Sequence, residues 1–265
     1  MVKLKSLIKL FVPPIFGVLI NWIKGTQYTF EHIFSNFEKA YAASGQKENY
    51  QSSDFDSKYI ENYSTNYKHF DTKDIIVPIL LLNHSSSRIN ILDIGGGIFP
   101  IFNYLSDEDK RRVTCWVLER PEFVKKINSS SNKSKLDKNL VYIDSLDLIP
   151  NNMHFEITYF GSSIQYFPDY ENMFVDLMKY RSKFFVISYS VFTTLESNIF
   201  VLQKNSYPSV FPNMFISEKK FKKFMVSLQY KKVYSFTHKN EINFHRNLPS
   251  DKYRFKSFIF QFSQN

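Results

Sequence analysis

Residues Ile91–Pro100 read ILDIGGGIFP and decide the fold of this chain. An apolar segment typical of a buried strand runs directly into three consecutive glycines, and a helical segment is predicted just beyond them. Glycine accepts a positive φ and lets a ligand approach bare backbone, while the first turn of a helix offers unpaired N–H groups. The stretch therefore predicts a ligand site at the carboxyl end of a strand.

Strand-like and helix-like segments alternate from this strand onward. The predicted strands are Ile89–Ile94, Val113–Leu118, Leu140–Ile143, Phe155–Phe160, Phe184–Tyr189, Tyr230–Phe236 and Arg254–Phe260. The predicted helices lie near Ile98–Leu105, Arg120–Asn128, Tyr170–Tyr180 and Glu218–Leu228, the last capped by Ser217. This alternation predicts an α/β fold with helices on both faces of a mostly parallel sheet. Residues 190–212 break the rhythm and are predicted to form an inserted loop.

The composition excludes several classes of protein. The chain has 265 residues, 43% of them hydrophobic, with 28 Phe and 17 Tyr, so it is not intrinsically disordered and fits one large domain with an appendage. A single cysteine, Cys115, excludes a disulfide framework, and no His/Asp cluster has the spacing of metal ligands. The net charge of +9 suits an acidic partner or is ordinary solubilising charge, and the scattered lysines favour the second interpretation.

The first 87 residues divide into two predicted regions. In residues 1–25, lysines flank an apolar stretch that is too short for a membrane span of roughly 20 residues, with a helix predicted after Pro14. That helix either lies in the interface of an anionic membrane or docks on the body of the protein. Residues 26–87 are predicted to be a helical cap, with one helix from Thr29 to near Gly45, another over Phe55–Tyr67 and a third apolar segment at Ile75–Leu82.

The residues after the glycines indicate which ligand is bound. A dinucleotide fingerprint that starts at Gly95 would need a glycine where Pro100 stands, and the chain has no Gly-Lys-Ser/Thr. Glu119 follows the second predicted strand, 22 residues beyond Gly97, and an acidic residue there can accept hydrogen bonds from ribose hydroxyls. Asp144 follows the third predicted strand.

These motifs resemble those of class I S-adenosylmethionine-dependent methyltransferases, in which an acidic residue precedes Gly-x-Gly. The stretch Phe160–Asp169 (FGSSIQYFPD) is similar to the motif that follows the fourth strand in small-molecule methyltransferases. The resemblance implies a Rossmann-like, seven-stranded sheet and S-adenosylmethionine as the cofactor. The cofactor-binding residues that it implies are Asp93, Gly95, Gly96, Gly97, Glu119, Asp144, Ser145, Ser162, Ser163 and Gln165. The methyltransferase domain would span residues 88–265, after the helical N-terminal extension.

A narrower resemblance covers nearly the whole chain. The chain looks like a methyltransferase family found in bacterial surface-polysaccharide gene clusters. The similar segments are the basic leader with Pro13-Pro14, the segment centred on Tyr28, Ile91–Gly97 (ILDIGGG), Trp116–Pro121 (WVLERP) and Ser162–Tyr166 (SSIQY). It implies O-methylation of a sugar or another small polar acceptor in the cytoplasm, or on the inner face of the cytoplasmic membrane. No nucleic-acid partner is expected.

A hydroxyl acceptor also needs a group that takes its proton. The candidates are His245, Tyr166 and Asp169, with His238 and His154 as further histidines. His245 is favoured, because it lies in a loop expected at the carboxyl edge of the sheet, where the adjacent Arg246 could hold a phosphate or carboxylate of the acceptor.

Two other functions fit parts of the sequence. Four lysines in Glu218–Leu228 would suit an RNA methyltransferase, but they fall largely opposite the apolar residues and fit a solvated helix face. A non-catalytic binding module is the other alternative, and the intact Asp93, Gly95, Gly97 and Glu119 argue against it.

The membrane hypothesis for residues 1–25 is directly testable. Deletion of residues 2–24 should abolish co-sedimentation with anionic phospholipid vesicles, because the deletion removes both the apolar helix and its flanking lysines. Neutral vesicles are the control, since they lack the electrostatic attraction. Equal co-sedimentation of the full chain and the deletion variant would contradict the hypothesis.

Overall fold

The computed structural model describes residues 28–45, 76–82, 88–129, 137–205, 210–238, 243–244 and 250–263. Within these ranges eleven strands form one sheet. The strands are β1 Tyr28–Phe34, β2 Ile89–Ile94, β3 Val113–Leu118, β4 Leu140–Ile143, β5 Ile157–Gly161, β6 Phe184–Thr193, β7 Ile199–Asn205, β8 Val210–Ser217, β9 Tyr230–Thr237, β10 Asn243–Phe244 and β11 Tyr253–Phe262. The α-helices are α1 Phe37–Ala43, α2 Ile76–Leu82, α3 Asp107–Arg112, α4 Pro121–Ser129, α5 Tyr170–Leu177 and α6 Glu218–Ser227.

Seven of the strands form a continuous central sheet in the order β4-β3-β2-β5-β6-β11-β9. The five strands from β4 to β6 are parallel, and β11 is antiparallel to both of its neighbours. These are the seven strands predicted from the sequence, and the predicted α/β fold with a mostly parallel sheet is confirmed. In the register of the ladder, Ile94 lies opposite Leu118, which lies opposite Ile143. The carboxyl ends of β2, β3 and β4 therefore lie level at one edge.

Four further strands extend this sheet. β8 pairs in parallel with the end of β6, β7 is antiparallel to β8, β1 is antiparallel to β7, and β10 pairs with β1. The predicted inserted loop over residues 190–212 is therefore wrong, because this segment holds the end of β6, all of β7 and the start of β8. Pro212 obscured the pattern, since proline is rare inside a strand, yet here it pairs with Leu202.

The predicted helix from Thr29 to Gly45 is wrong in its first half. Tyr28–Phe34 is strand β1, and α1 begins only at Phe37, where the Asn36 Oδ1 accepts the N–H of Lys39 at 3.0 Å. Aromatic residues suit strands as well as helices, and the pairing of β1 with β7 decides between the two. The helices predicted in residues 1–25 and at Phe55–Tyr67 lie outside the described residues.

Helices pack on both faces of the central sheet, as predicted. The residues of α2, with Ile101 and Phe102, bury one face, and α5 and α6 bury the other. Phe174 of α5 has its ring 5.1 Å from that of Phe160 and 4.9 Å from that of Phe185. The high phenylalanine content therefore belongs to a close-packed aromatic core. In the part of the chain described here, no helix is long and apolar enough to cross a membrane.

Candidate functional site

The three glycines after β2 form a tight turn whose shape depends on their lack of side chains. Gly95 has φ +72° and Gly97 has φ +59°, a region that other residues rarely adopt. A Cβ on Gly95 would lie 2.8 Å from the Cβ of Ser163, so the loop after β5 packs directly against the turn. The N–H of Gly95 donates to the carbonyl of Leu118 at 2.9 Å, which extends the β2–β3 ladder into the turn.

Asp93 lies under this turn and shapes it. The carboxylate is buried, and its Oδ2 accepts the N–H of Ile101 at 2.7 Å. A Cβ on Gly96 would lie 2.6 Å from the same oxygen, so the second glycine is required by the close approach of the carboxylate. Burial and the nearby Asp93 charge raise the pKa of the Cys115 thiol well above its usual value, so this cysteine is a core residue and not a nucleophile.

Glu119 joins the end of β3 to the glycine turn. Its Oε1 accepts the N–H of Gly97 at 2.9 Å, and its Oε2 accepts the N–H of Arg120 at 3.1 Å. The side chain is half-buried. A carboxylate oxygen can accept more than one hydrogen bond, so Glu119 retains capacity for the hydroxyls of a ligand. The structure thus brings together the glycine turn and Glu119, which the sequence linked only by their spacing.

The end of β4 contributes one residue that the sequence analysis missed. The Tyr142 hydroxyl donates to the carbonyl of Gly97 at 2.9 Å and fixes the turn from the side opposite Ser163. The only signal in the sequence was a tyrosine near the end of the third parallel strand. Of the predicted residues here, Asp144 is exposed at the strand end, and Ser145 caps the short helical turn Leu146–Leu148.

The loop after β5 is fixed by side chains that bond to the two neighbouring strands, β2 and β6, and to the backbone of the loop itself. Ser162 has φ +58°, and its Oγ donates to the carbonyl of Tyr189 in β6 at 2.9 Å. The Oγ of Ser163 donates to the carbonyl of Ile94 in β2 at 2.5 Å. The Gln165 Nε2 donates to the carbonyl of Ser162 at 2.9 Å, while its buried Oε1 has no hydrogen-bond partner among the described residues.

Tyr166 and Asp169, both predicted as candidate bases, lie in different environments. The Tyr166 hydroxyl donates to the Oε1 of Gln203 at 2.9 Å, and burial raises its pKa above the usual value of 10. It is therefore a neutral hydrogen-bond donor at physiological pH, which favours a positioning role. Asp169 is exposed just before α5, where its Oδ2 accepts from the Nδ2 of Asn172 at 2.8 Å.

Only one of the described candidate histidines lies near the loop after β5. His238 is buried at the end of β9, with its Nε2 2.8 Å from the Oγ of Ser257 and its ring 4.8 Å from that of Tyr189. His154 precedes β5, where it lines a groove of about 1060 Å³ at the opposite edge of the sheet. His245 and Arg246 lie outside the described residues.

Comparisons with known proteins bear on the fold. No family model and no curated protein matches the chain. Magnesium protoporphyrin IX methyltransferase from Synechocystis PCC 6803, solved with bound SAH (S-adenosylhomocysteine), matches 78% of this chain with 93% of its own, at 8% identity and a TM-score of 0.51. Coclaurine N-methyltransferase, solved with N-methylheliamine and SAH, matches 86% of this chain with 87% of its own, at 9% identity and a TM-score of 0.50. The chain therefore has the class I methyltransferase fold.

The close approach of Asp93 to Gly96 gives a stability prediction. Gly96→Ala should destabilise the protein by about 1–3 kcal/mol, because the added methyl overlaps the carboxylate. In an Asp93→Ala background the same substitution should cost less, since the overlapping oxygen is gone. Urea unfolding of the four proteins measures this difference. An equal cost in both backgrounds would contradict the geometry.

Proposed function

We propose that the chain is an S-adenosylmethionine-dependent methyltransferase whose cofactor site lies at the carboxyl edge of β2, β3, β4 and β5. The observation that carries the proposal is the hydrogen bond from the Gly97 N–H to the Glu119 carboxylate, at 2.9 Å. It joins the glycine turn to the acidic residue of the next strand, which are the two motifs that the sequence resemblance rests on. The fold shared with two methyltransferases solved with SAH supports the same proposal.

The residues at this edge fit the chemistry of the cofactor. Glu119 would accept hydrogen bonds from the ribose hydroxyls, and Asp144 and Ser145 would lie towards the adenine. The backbone of Gly95–Gly97 would lie against the ribose and the methionine portion. The buried Oε1 of Gln165 has no hydrogen-bond donor among the described residues. The ammonium group of the methionine portion would supply that donor.

The cofactor supplies, when bound, a methyl group on a positively charged sulfur. The residues of the chain orient the acceptor, exclude water and take up the proton of its hydroxyl. Among the described histidines, His238 fits the proton-accepting role, because Ser257 and the ring of Tyr189 fix its imidazole near the loop after β5. His245 remains the alternative base that the sequence favours.

The proposed acceptor is a hydroxyl of a sugar or a similar small polar molecule used in surface-polysaccharide synthesis. The support is the resemblance of the leader, Trp116–Pro121 and Ser162–Tyr166 to that family. Activity at the inner face of the cytoplasmic membrane follows only if residues 1–25 bind that membrane.

The lysines of α6 argue against an RNA substrate. Lys219 lies 2.7 Å from the Glu196 carboxylate, and Lys222 pairs with Glu218. Phe221 on the same helix is fully buried in the core. These ion pairs reduce the positive field of α6. The lysine-bearing face of the helix is therefore a solvated surface and not a phosphate-binding one.

The test of the cofactor site is a titration with SAH followed by thermal melting. Ligand at about 100 times its dissociation constant adds about 2.7 kcal/mol of stability, so the wild-type melting temperature should rise clearly. Glu119→Ala and Gly95→Val should abolish the rise, because they remove the hydroxyl acceptor and fill the turn. Glu122→Ala, an exposed acid in the first turn of α4, should retain it. No rise in wild type at millimolar SAH would overturn the proposal.

The acceptor is tested by transfer of a labelled methyl group from S-adenosylmethionine. Label should enter nucleotide sugars or free monosaccharides and should not enter total RNA, because Lys219 and Lys222 of α6 are already paired with acids. Transfer to RNA that weakens steeply with added salt would favour the RNA alternative. Binding of SAH without transfer to any of these probes would favour the non-catalytic binding module.

A further inference from the structure

The hairpin formed by β7 and β8 lies beside the loop after β5, Ser162–Tyr166, and outside the central seven-stranded sheet. In the described part of the chain, two residue pairs, Phe192 with Ile216 and Thr193 with Ser217, join β8 to β6. Seven side chains of β8 from Phe211 to Ser217 are nevertheless buried, and the β8 strand packs against the turn Ile164–Tyr166. The hairpin is therefore in position to act on the loop through side chains.

A buried polar network makes that connection. The Oε1 of Gln203 in β7 accepts two hydrogen bonds, one from the Tyr166 hydroxyl at 2.9 Å and one from the Asn213 Nδ2 in β8 at 2.7 Å. Gln203 is 4% exposed and Asn213 is fully buried. Polar groups at such depth are costly to leave unpaired, so the orientation of Tyr166 is strongly constrained by this pair.

The loop needs such a constraint because it contains a strained residue. Ser162 has φ +58°, which costs a non-glycine residue about 1–3 kcal/mol. Tyr189, whose carbonyl accepts from Ser162, has φ +50° as well. Ser163 and Gln165 hold the first part of the loop, and Tyr166 holds its end. Release of the end would let the strained start relax away from the glycine turn.

We infer that Gln203 and Asn213 are positioning residues for the cofactor site, which hold the Ser162–Tyr166 loop in its binding arrangement through the Tyr166 hydroxyl. This inference rests on the proposed function, because the loop matters only if it contacts S-adenosylmethionine. It assigns to the hairpin a role in cofactor affinity, although neither hairpin residue belongs to the cofactor motifs. Tyr166 is then a link between hairpin and loop.

The experiment compares SAH affinity and melting temperature across conservative variants. Tyr166→Phe removes one oxygen, and Gln203→Met removes the shared acceptor with little change of shape. Both should weaken SAH binding by about tenfold in isothermal titration. The SAH affinity of the double variant should be close to that of the weaker-binding single variant. The two losses should not add, because both substitutions break the same network.

The matched control is Tyr230→Phe. The Tyr230 hydroxyl is also a buried donor, to the carbonyl of Ser182 at 2.5 Å, but it lies at the start of β9 and away from the loop. This control should lower the melting temperature as much as Tyr166→Phe does while leaving the SAH dissociation constant unchanged. The comparison separates a positioning role from a general loss of stability.

Three outcomes decide the inference. Unchanged SAH affinity in Tyr166→Phe, with a melting temperature lowered as in the control, would overturn it. A tenfold loss of SAH affinity in Tyr166→Phe, with no loss in Tyr230→Phe, supports the inference. This comparison holds even if Gln203→Met fails to fold. Absence of SAH binding in wild type overturns the proposed function itself, and that result is distinguishable because it precedes any variant.

Discussion

The parallel register of β2, β3 and β4 is the constraint on which the rest of the site depends. Because Ile94, Leu118 and Ile143 lie side by side, the residues that follow them leave the sheet at the same level. Gly95 then continues the ladder to Leu118, and Glu119 continues it to Ile143. The backbone hydrogen bonds therefore place the acidic residue beside the glycine turn. A shift of one residue in either ladder would move Glu119 to the other face of the sheet.

The glycine turn itself is held from several sides by groups of different strands. Asp93 supports it from below, Ser163 closes one side, and the Tyr142 hydroxyl binds its last carbonyl. The contacts of Ser163 and Tyr142 cross from one strand to another, so the shape of the turn depends on the packing of β2 against β4 and β5. The glycines serve both the shape of the turn and the approach of a ligand, and two of them are required by close protein contacts at Ser163 and Asp93.

The sequence predicted the parts of the molecule in which local pattern and tertiary role agree. The seven central strands are short, apolar and bounded by turns, and the contact between Gly97 and Glu119 follows from their positions at adjacent strand ends. Prediction from the sequence failed where contacts between residues far apart in the chain decide the structure. Phe30 and Phe34 fit a helical stripe and a strand alike, and only pairing with β7 selects the strand. The roles of Tyr142, Gln203 and Asn213 depend on contacts that no local pattern encodes.

The two halves of the proposed site therefore differ in how they are encoded. The cofactor half is built from residues next to strand ends, where the chain must turn. Glycine, serine and acidic residues at these turns form a motif that can be recognised in the sequence. The acceptor half that we propose lies where β6 pairs with β11. The register of these two strands shifts at Tyr189, which marks a β-bulge, and Phe255 and Ser257 of β11 contact Tyr189 and His238 there. A bulge re-aims a side chain without changing the apolar pattern of its strand. Tyr189 thus lies beside His238 and Phe255 through geometry alone, and a sequence pattern that specifies the cofactor leaves the acceptor unspecified.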